Sequence, residues 1–321
     1  MPCAEQDPAL GVRVIGMREL RYDVAAVLGD DQPAHVRAAS GLAMIGGRLA
    51  VIQDDCAFIA FVGDQVSALP LPRGPGGRRR FEERIGNKGD KLDLEACVVV
   101  KGELGDELWA FGSGSTPLRE KIAVVGFTMR LHDGGPLYRR LREELSGPSA
   151  AESFRVPPAV NVEGACVVGK ELWLFHRGNT SVHDPGPAVF RIPQRPFARW
   201  LASSAAMPEV DATIMFDLGS AGGSRLGFTD AVAVGARVFY LAAAEASPNA
   251  IDDGAVLGSQ LGVIEEEGSV RAAPLAIDGA PVKAEGLAFD PKDPHHAWIS
   301  IDPDDVDQPA RLYEIELVGP W

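Results

Sequence analysis

The sequence predicts an all-β chain folded as a five-bladed β-propeller, with a six-bladed ring as the alternative. Three observations carry this. One short motif recurs five times, apolar residues alternate with a period of two around glycine turns, and the chain contains 36 Gly and 24 Pro, a turn-rich composition that suits many short strands. The repeat begins with a polar or acidic residue, then a small one, then an alternating apolar run. Its five copies are Ser40-Gly-Leu-Ala-Met, Glu95-Ala-Cys-Val-Val, Glu163-Gly-Ala-Cys-Val, Thr229-Asp-Ala-Val-Ala and Glu285-Gly-Leu-Ala-Phe. Their separation leaves room for four strands with loops in each unit, the scale on which propeller blades repeat.

Each copy is followed by a turn and a second apolar run, the signature of a hairpin. These runs start at Gly46, Asp106, Gly169, Gly235 and Pro294. Third and fourth strands are expected at 57–61 and 66–71 in the first unit, and at 121–127 in the second. The third unit offers 188–192 and 212–218, the fourth 259–265 and 270–277, and the fifth only 311–317. The missing outer strand of that last unit is available in Val12-Arg-Val-Ile-Gly-Met-Arg-Glu-Leu. Pairing it into the last blade would remove an exposed sheet edge and close the ring. A sixth, degenerate blade would have to lie between 103 and 160. Helical spacing of apolar residues at 136–145 and 196–204 predicts two short surface helices. The whole chain, 1–321, is expected to form one domain.

Bulk properties exclude several classes. With 31 Lys+Arg against 45 Asp+Glu the net charge is −14, which repels nucleic-acid phosphates, so no nucleic-acid partner is expected. Met1-Pro-Cys-Ala-Glu-Gln-Asp-Pro has neither a basic nor an apolar stretch, and no run of about 18 apolar residues occurs. A cytoplasmic location and no membrane partner follow as expectations. Four scattered cysteines, Cys3, Cys56, Cys97 and Cys166, make no Cys-x-x-Cys pair and no disulfide framework. Cys97 and Cys166 lie inside apolar runs and are expected to be buried, inert thiols.

In a propeller the first strand of each blade lines the axial channel. Ser40, Glu95, Glu163, Thr229 and Glu285 are therefore predicted to form a ring. Three carboxylates facing one another repel unless protonated or bridged by a cation. Oxygen donors in loose geometry suit calcium or a similar hard divalent ion, so these five are the candidate metal ligands.

The order Ser, Glu, Glu, hydroxyl residue, Glu at the strand heads resembles the axial calcium site of soluble calcium-activated nucleotidases, the apyrases, which are five-bladed propellers. Gly227-Phe-Thr-Asp is similar to that family's Gly-Phe-Ser segment, and Lys283-Ala-Glu-Gly-Leu-Ala-Phe to its last inner strand. Asp54-Asp55 falls where that family has an Asp-Asp pair. The chain departs at Cys56, where the family has Arg, and at Phe175-His-Arg-Gly-Asn, where it has Pro-Arg-Arg. The resemblance, which extends loosely to phytase-like and lactonase-like propellers, thus implies a fold and an ion rather than a nucleotide substrate.

Loops that lead into first strands and out of second strands build one mouth of the channel. The longest, residues 78–91, concentrates cations in an otherwise acidic chain. Lys88, Lys91, Arg119 and Arg177 at one mouth would suit a small anionic partner, because guanidinium groups clamp carboxylate or phosphate. Asp55 and Asn179 complete the candidate substrate contacts. Asp54 and Glu245 are candidate general bases and Arg177 a candidate catalytic cation. The expected function is a metal-dependent hydrolase of a small phosphate ester or lactone, or else a non-catalytic binding propeller with a structural ion. The oligomeric state is not legible.

Overall fold

Each repeat becomes one antiparallel sheet in a computed structural model that describes residues 1–23, 31–150 (side chains to 146), 158–179, 184–203, 205–246 and 254–321. The first blade, from the axis outward, is Ala39–Ile45, Arg48–Gln53, Phe58–Val62 and Val66–Pro70. The second is Leu94–Gly102, Gly105–Gly112, Lys121–Val125 and Met129–Asp133. The third runs through Val162–Val168, Glu171–His176, Ala188–Pro193 and Ala212–Met215. Gly227–Val234, Arg237–Glu245, Val256–Ile264 and Val270–Pro274 make the fourth.

The fifth blade takes Ala284–Asp290, Asp293–Ile301 and Arg311–Val318 from one end of the sequence and Gly11–Glu19 from the other. Val12 faces Leu317 across that last antiparallel pair, as expected from the missing outer strand of the fifth unit. The Trp321 indole N–H donates to the Gly11 carbonyl at 3.0 Å and fastens the two chain ends together. One pairing was not anticipated: Ala4–Gln6 lies parallel to Val270–Pro274 outside the fourth blade.

The inner strands touch in sequence order, and Ala284–Asp290 returns to Ala39–Ile45. The ring therefore has five members, and the six-bladed alternative is excluded. Most of its proposed span, 103–160, instead carries outer strands of the second blade and the helix Gly135–Ala150.

The core follows from period-two patterning. Every strand sends alternate apolar side chains into the wedge between its blade and the next. Five separate apolar clusters result, one per wedge. The wedge between the fifth and first blades, built on Leu20, Val36, Leu42, Val51 and Leu312, seals the ring. Helix Gly135–Ala150 and helix Gln194–Ala202 are more than surface decoration. They bury Leu137, Tyr138, Leu141, Phe197 and Trp200 in the wedge between the second and third blades. Cys56, Cys97 and Cys166 are buried, and burial pushes all three thiols up, away from the reactive thiolate. No helix among the described residues is long and apolar enough to cross a membrane.

Candidate functional site at the axial mouth

The five predicted strand heads share a feature that composition could not show. In every inner strand the pairing register slips at one residue, between Ala39 and Gly41, Leu94 and Ala96, Val162 and Gly164, Phe228 and Asp230, and Ala284 and Gly286. The skipped residues are Ser40, Glu95, Glu163, Thr229 and Glu285. A bulge frees one residue from the ladder and re-aims its side chain. Here five bulges aim at one region.

The small residue after each bulge lets neighbouring inner strands approach. A Cβ on Gly164 would lie 2.9 Å from the Ala231 backbone nitrogen, and one on Gly286 3.0 Å from the Gly41 carbonyl carbon. At this position the five blades carry Gly41, Ala96, Gly164, Asp230 and Gly286. The exception, Asp230, uses the room the others leave. Its carboxylate accepts backbone N–H groups from Leu287 at 2.6 Å and Ala231 at 2.7 Å, and from Leu42. Burial still pushes this carboxyl well up, against the pull of those three donors.

Above it opens a cavity of about 120 Å³. Glu95, Glu163 and Glu285 line it, whereas Ser40 and Thr229 do not. The Ser40 hydroxyl donates to the Ala38 carbonyl at 3.0 Å and Thr229 to the Ala284 carbonyl at 2.7 Å. Seven carboxylates and five cations line this cavity, and most are paired. Lys91 sits between Asp54 and Asp93, 2.6 Å from the latter. Arg119 reaches Asp93 at 3.1 Å. Arg177 bridges Glu163 at 3.3 Å and Glu245 at 3.0 Å, and Lys283 contacts Glu285 at 2.8 Å and Glu245 at 3.4 Å.

Glu95 differs from its neighbours. Among the described residues its carboxylate has no hydrogen-bond or ion-pair partner. Burial and then Asp93, Asp54 and Glu163 push it well up, with Lys91 pulling the other way. Asp54, Asp93 and Glu95 each present an oxygen within 4.8 Å of the others. Burial also raises Glu285 to about 7, against the pull of Lys283, and drives Asp302 well up with help from Glu285 and Asp54. Lys91 is raised despite burial, because Asp54, Asp93 and Glu95 favour its charge. The mouth is an acidic pool held by built-in cations, with one carboxylate left over.

The other predicted residues divide by position. Asp54, Lys88, Lys91, Arg119 and Arg177 line the cavity. Glu245 lies behind it, held by Arg177 and Lys283. Asn179 holds Arg177 in place: its Oδ1 accepts from Arg177 Nε at 2.9 Å and its amide donates to the Ala243 carbonyl at 3.0 Å. Asp55 points to the side, where Arg37 meets it at 2.5 Å.

The candidate site residues left out Asp93, Asn161, Lys283, Asp302 and Asp304, all of which line the cavity. Three of them had a readable signal. Asp93, Asn161 and Lys283 stand two residues before Glu95, Glu163 and Glu285; residues two apart in an extended chain share a side, although Asp93 reaches the cavity from a left-handed backbone with φ 56°. Asn161 accordingly donates to Glu163 at 2.6 Å.

Residues 35–317 match the family of unknown function DUF6929. The chain belongs to that family. No curated protein matches it. Among solved structures this DUF6929 chain is similar to the glutaminyl cyclase of Myxococcus xanthus, with 9% identity, a TM-score of 0.48, and coverage of 97% of this chain and 98% of that one. It is also similar to an aldose sugar dehydrogenase from Streptomyces coelicolor, with 15% identity, a TM-score of 0.42 and coverage of 97% and 99%. An α-L-arabinanase of Cellvibrio cellulosa shows 9% identity, a TM-score of 0.47 and coverage of 88% and 92%. These are likenesses of architecture, and the chemistry of those proteins is not transferred to the DUF6929 chain.

Proposed function

We propose that the axial mouth binds a hard divalent cation, calcium by preference, and hydrolyses a small phosphate ester beside it. The observation that carries this reading is Glu95, a shielded carboxylate without a hydrogen-bond or ion-pair partner among the described residues, in a cluster whose oxygens lie within 4.8 Å of one another. Asp54, Asp93 and Glu95 would supply the first oxygen ligands, with Glu163 and Glu285 completing the acidic wall. Calcium accepts irregular oxygen cages, and the apyrase-like order of strand heads supports the same choice. When bound, the ion polarises a phosphoryl oxygen and acidifies water.

The residues of the chain do the rest. Lys88 and Arg119, on the cavity wall, hold the anionic group. Glu285, raised to about 7, takes a proton from the attacking water. That oxygen bonds to phosphorus, the bond to the leaving oxygen breaks, and solvent at the open mouth protonates the leaving oxygen. Arg177, held by Asn179, Glu163 and Glu245, keeps Glu163 ionised and in place.

Calorimetric titration with calcium and turnover of p-nitrophenyl phosphate, with and without chelator, test this. Binding and turnover should both disappear in Glu95→Gln. A protein that takes up no calcium, or whose turnover survives chelation, overturns the reading.

The place of Lys91 favours a second reading. Its ammonium already sits between Asp54 and Asp93, where it could replace a metal in a mouth that binds ligand without catalysis. In that case Lys91→Gln would gain no affinity for calcium.

A further inference from the structure

We infer that the ligand of this mouth carries an alkylammonium group, seated in a second cavity beside the axial one. This rests on the reading of the mouth as a small-molecule site. The second cavity measures about 150 Å³ and shares Asp54, Lys88, Lys91, Asp302 and Asp304 with the first. One molecule can therefore extend through both.

The walls of this side cavity are of two kinds. Ala38, Phe81 and Val306 give it an apolar part. Around this stand seven carboxylates and three cations, a larger acidic excess than in the axial cavity. Its cations are committed elsewhere. Arg37, buried at 2% exposure, meets Asp55 at 2.5 Å and Glu82 at 3.6 Å. Lys91 is held by Asp54 and Asp93. The third cation, Lys88, also lines the axial cavity, where it is assigned to the anionic group.

One of the acids keeps an unanswered oxygen. Asp55 Oδ1 is closed off from solvent and has no hydrogen-bond partner among the described residues, while Arg37 holds the other oxygen. An ammonium head supplies three donors and one positive charge, and its alkyl stem suits the apolar wall. A hydrated metal ion would gain nothing from Phe81, whereas a cation on a carbon chain does.

The combination of an anion-holding axial part and an ammonium-holding side part defines an amino-alkyl phosphate as the ligand class. The test compares O-phosphoethanolamine and its aminopropyl homologue with ethyl and propyl phosphate, by calorimetry on the full chain in calcium. The amino esters should bind about tenfold more tightly. Asp55→Asn and, separately, Asp302→Asn should bring the ratio of amino-ester to plain-ester affinity close to one. Asp302→Asn serves as the control should the loss of the Arg37 partner unfold the first variant.

Equal affinities, no binding of either class, or a preference that survives in both variants overturns the inference. So does a second calcium ion that Asp55→Asn removes, which would make the side cavity a metal site. The calcium heat lost in Glu95→Gln reports on the axial reading alone, so the two can fail separately.

Discussion

The Asp230 carboxylate of the fourth blade accepts the backbone N–H of Leu287 in the fifth at 2.6 Å. With Leu42 of the first blade and Ala231 of its own, it ties three inner strands together at the centre of the ring. Asp230→Ala leaves three buried N–H groups unanswered and is expected to lower unfolding free energy by about 3 kcal/mol. Asp230→Asn should also destabilise, since one of its two terminal atoms is a donor facing donors. Urea denaturation measures both, and unchanged midpoints would show that the contact does not hold the blades.

Acidic residues of the mouth make stability depend on pH in an unusual direction. Glu285 rises from 4.5 to about 7 and Asp55 from 3.8 to about 6. Both groups bind protons more tightly folded than unfolded, so the stability they favour is complete at low pH and is lost as pH rises from about 4 through about 7. The melting temperature should be higher at about pH 5 than at about pH 8, and saturating calcium should shrink the difference. A melting temperature that climbs across the same interval would contradict the assignment.

Lys91 occupies the Asp54 and Asp93 oxygens that the proposed divalent ion would need. Lys91→Gln should raise calcium affinity about tenfold and lower the stability of calcium-free protein by about 3 kcal/mol. Titration followed by melting with and without calcium reads both effects. A variant with weaker calcium binding would mean that Lys91 holds the site open rather than filling it.

Arg177 is the buried counter-charge of Glu163 and Glu245. Arg177→Met takes the ion pair from Glu163 and leaves Glu245 to Lys283 alone, and should cost about 3 kcal/mol. Adding Glu163→Gln should recover part of that loss, as a double-mutant cycle by denaturation would show. Strict additivity of the two changes would rule out their coupling.

The ring was legible because one requirement recurs in every blade. A polar residue must leave the ladder at the mouth and a small one must follow so that the inner strands can meet, and both marks survive in the sequence at Ser40-Gly41 and Glu163-Gly164. Glu95, Glu163 and Glu285 were found this way. Ser40 and Thr229 carry the same mark, yet their short side chains turn to backbone carbonyls, Ser40 just ahead of its own strand and Thr229 on the next blade, and stop short of the cavity. Asp230 was passed over because an apolar run follows it like any other blade, although an acid at the small-residue position was the anomaly to notice. Asp302 and Asp304 belong to a loop whose path no periodicity fixes.

The fifth blade joins residues at opposite ends of the sequence, as in the Arg13–Glu316 ion pair. Contacts so distant along the chain form late, because loop closure must precede any gain from them. A nascent chain emerging from the ribosome can assemble four sheets while the circle stays open. Until Arg311–Val318 meets Gly11–Glu19, Leu20, Val36 and Leu42 have no complete wedge in which to bury. Folding rate and aggregation during synthesis should therefore be governed by this one seam.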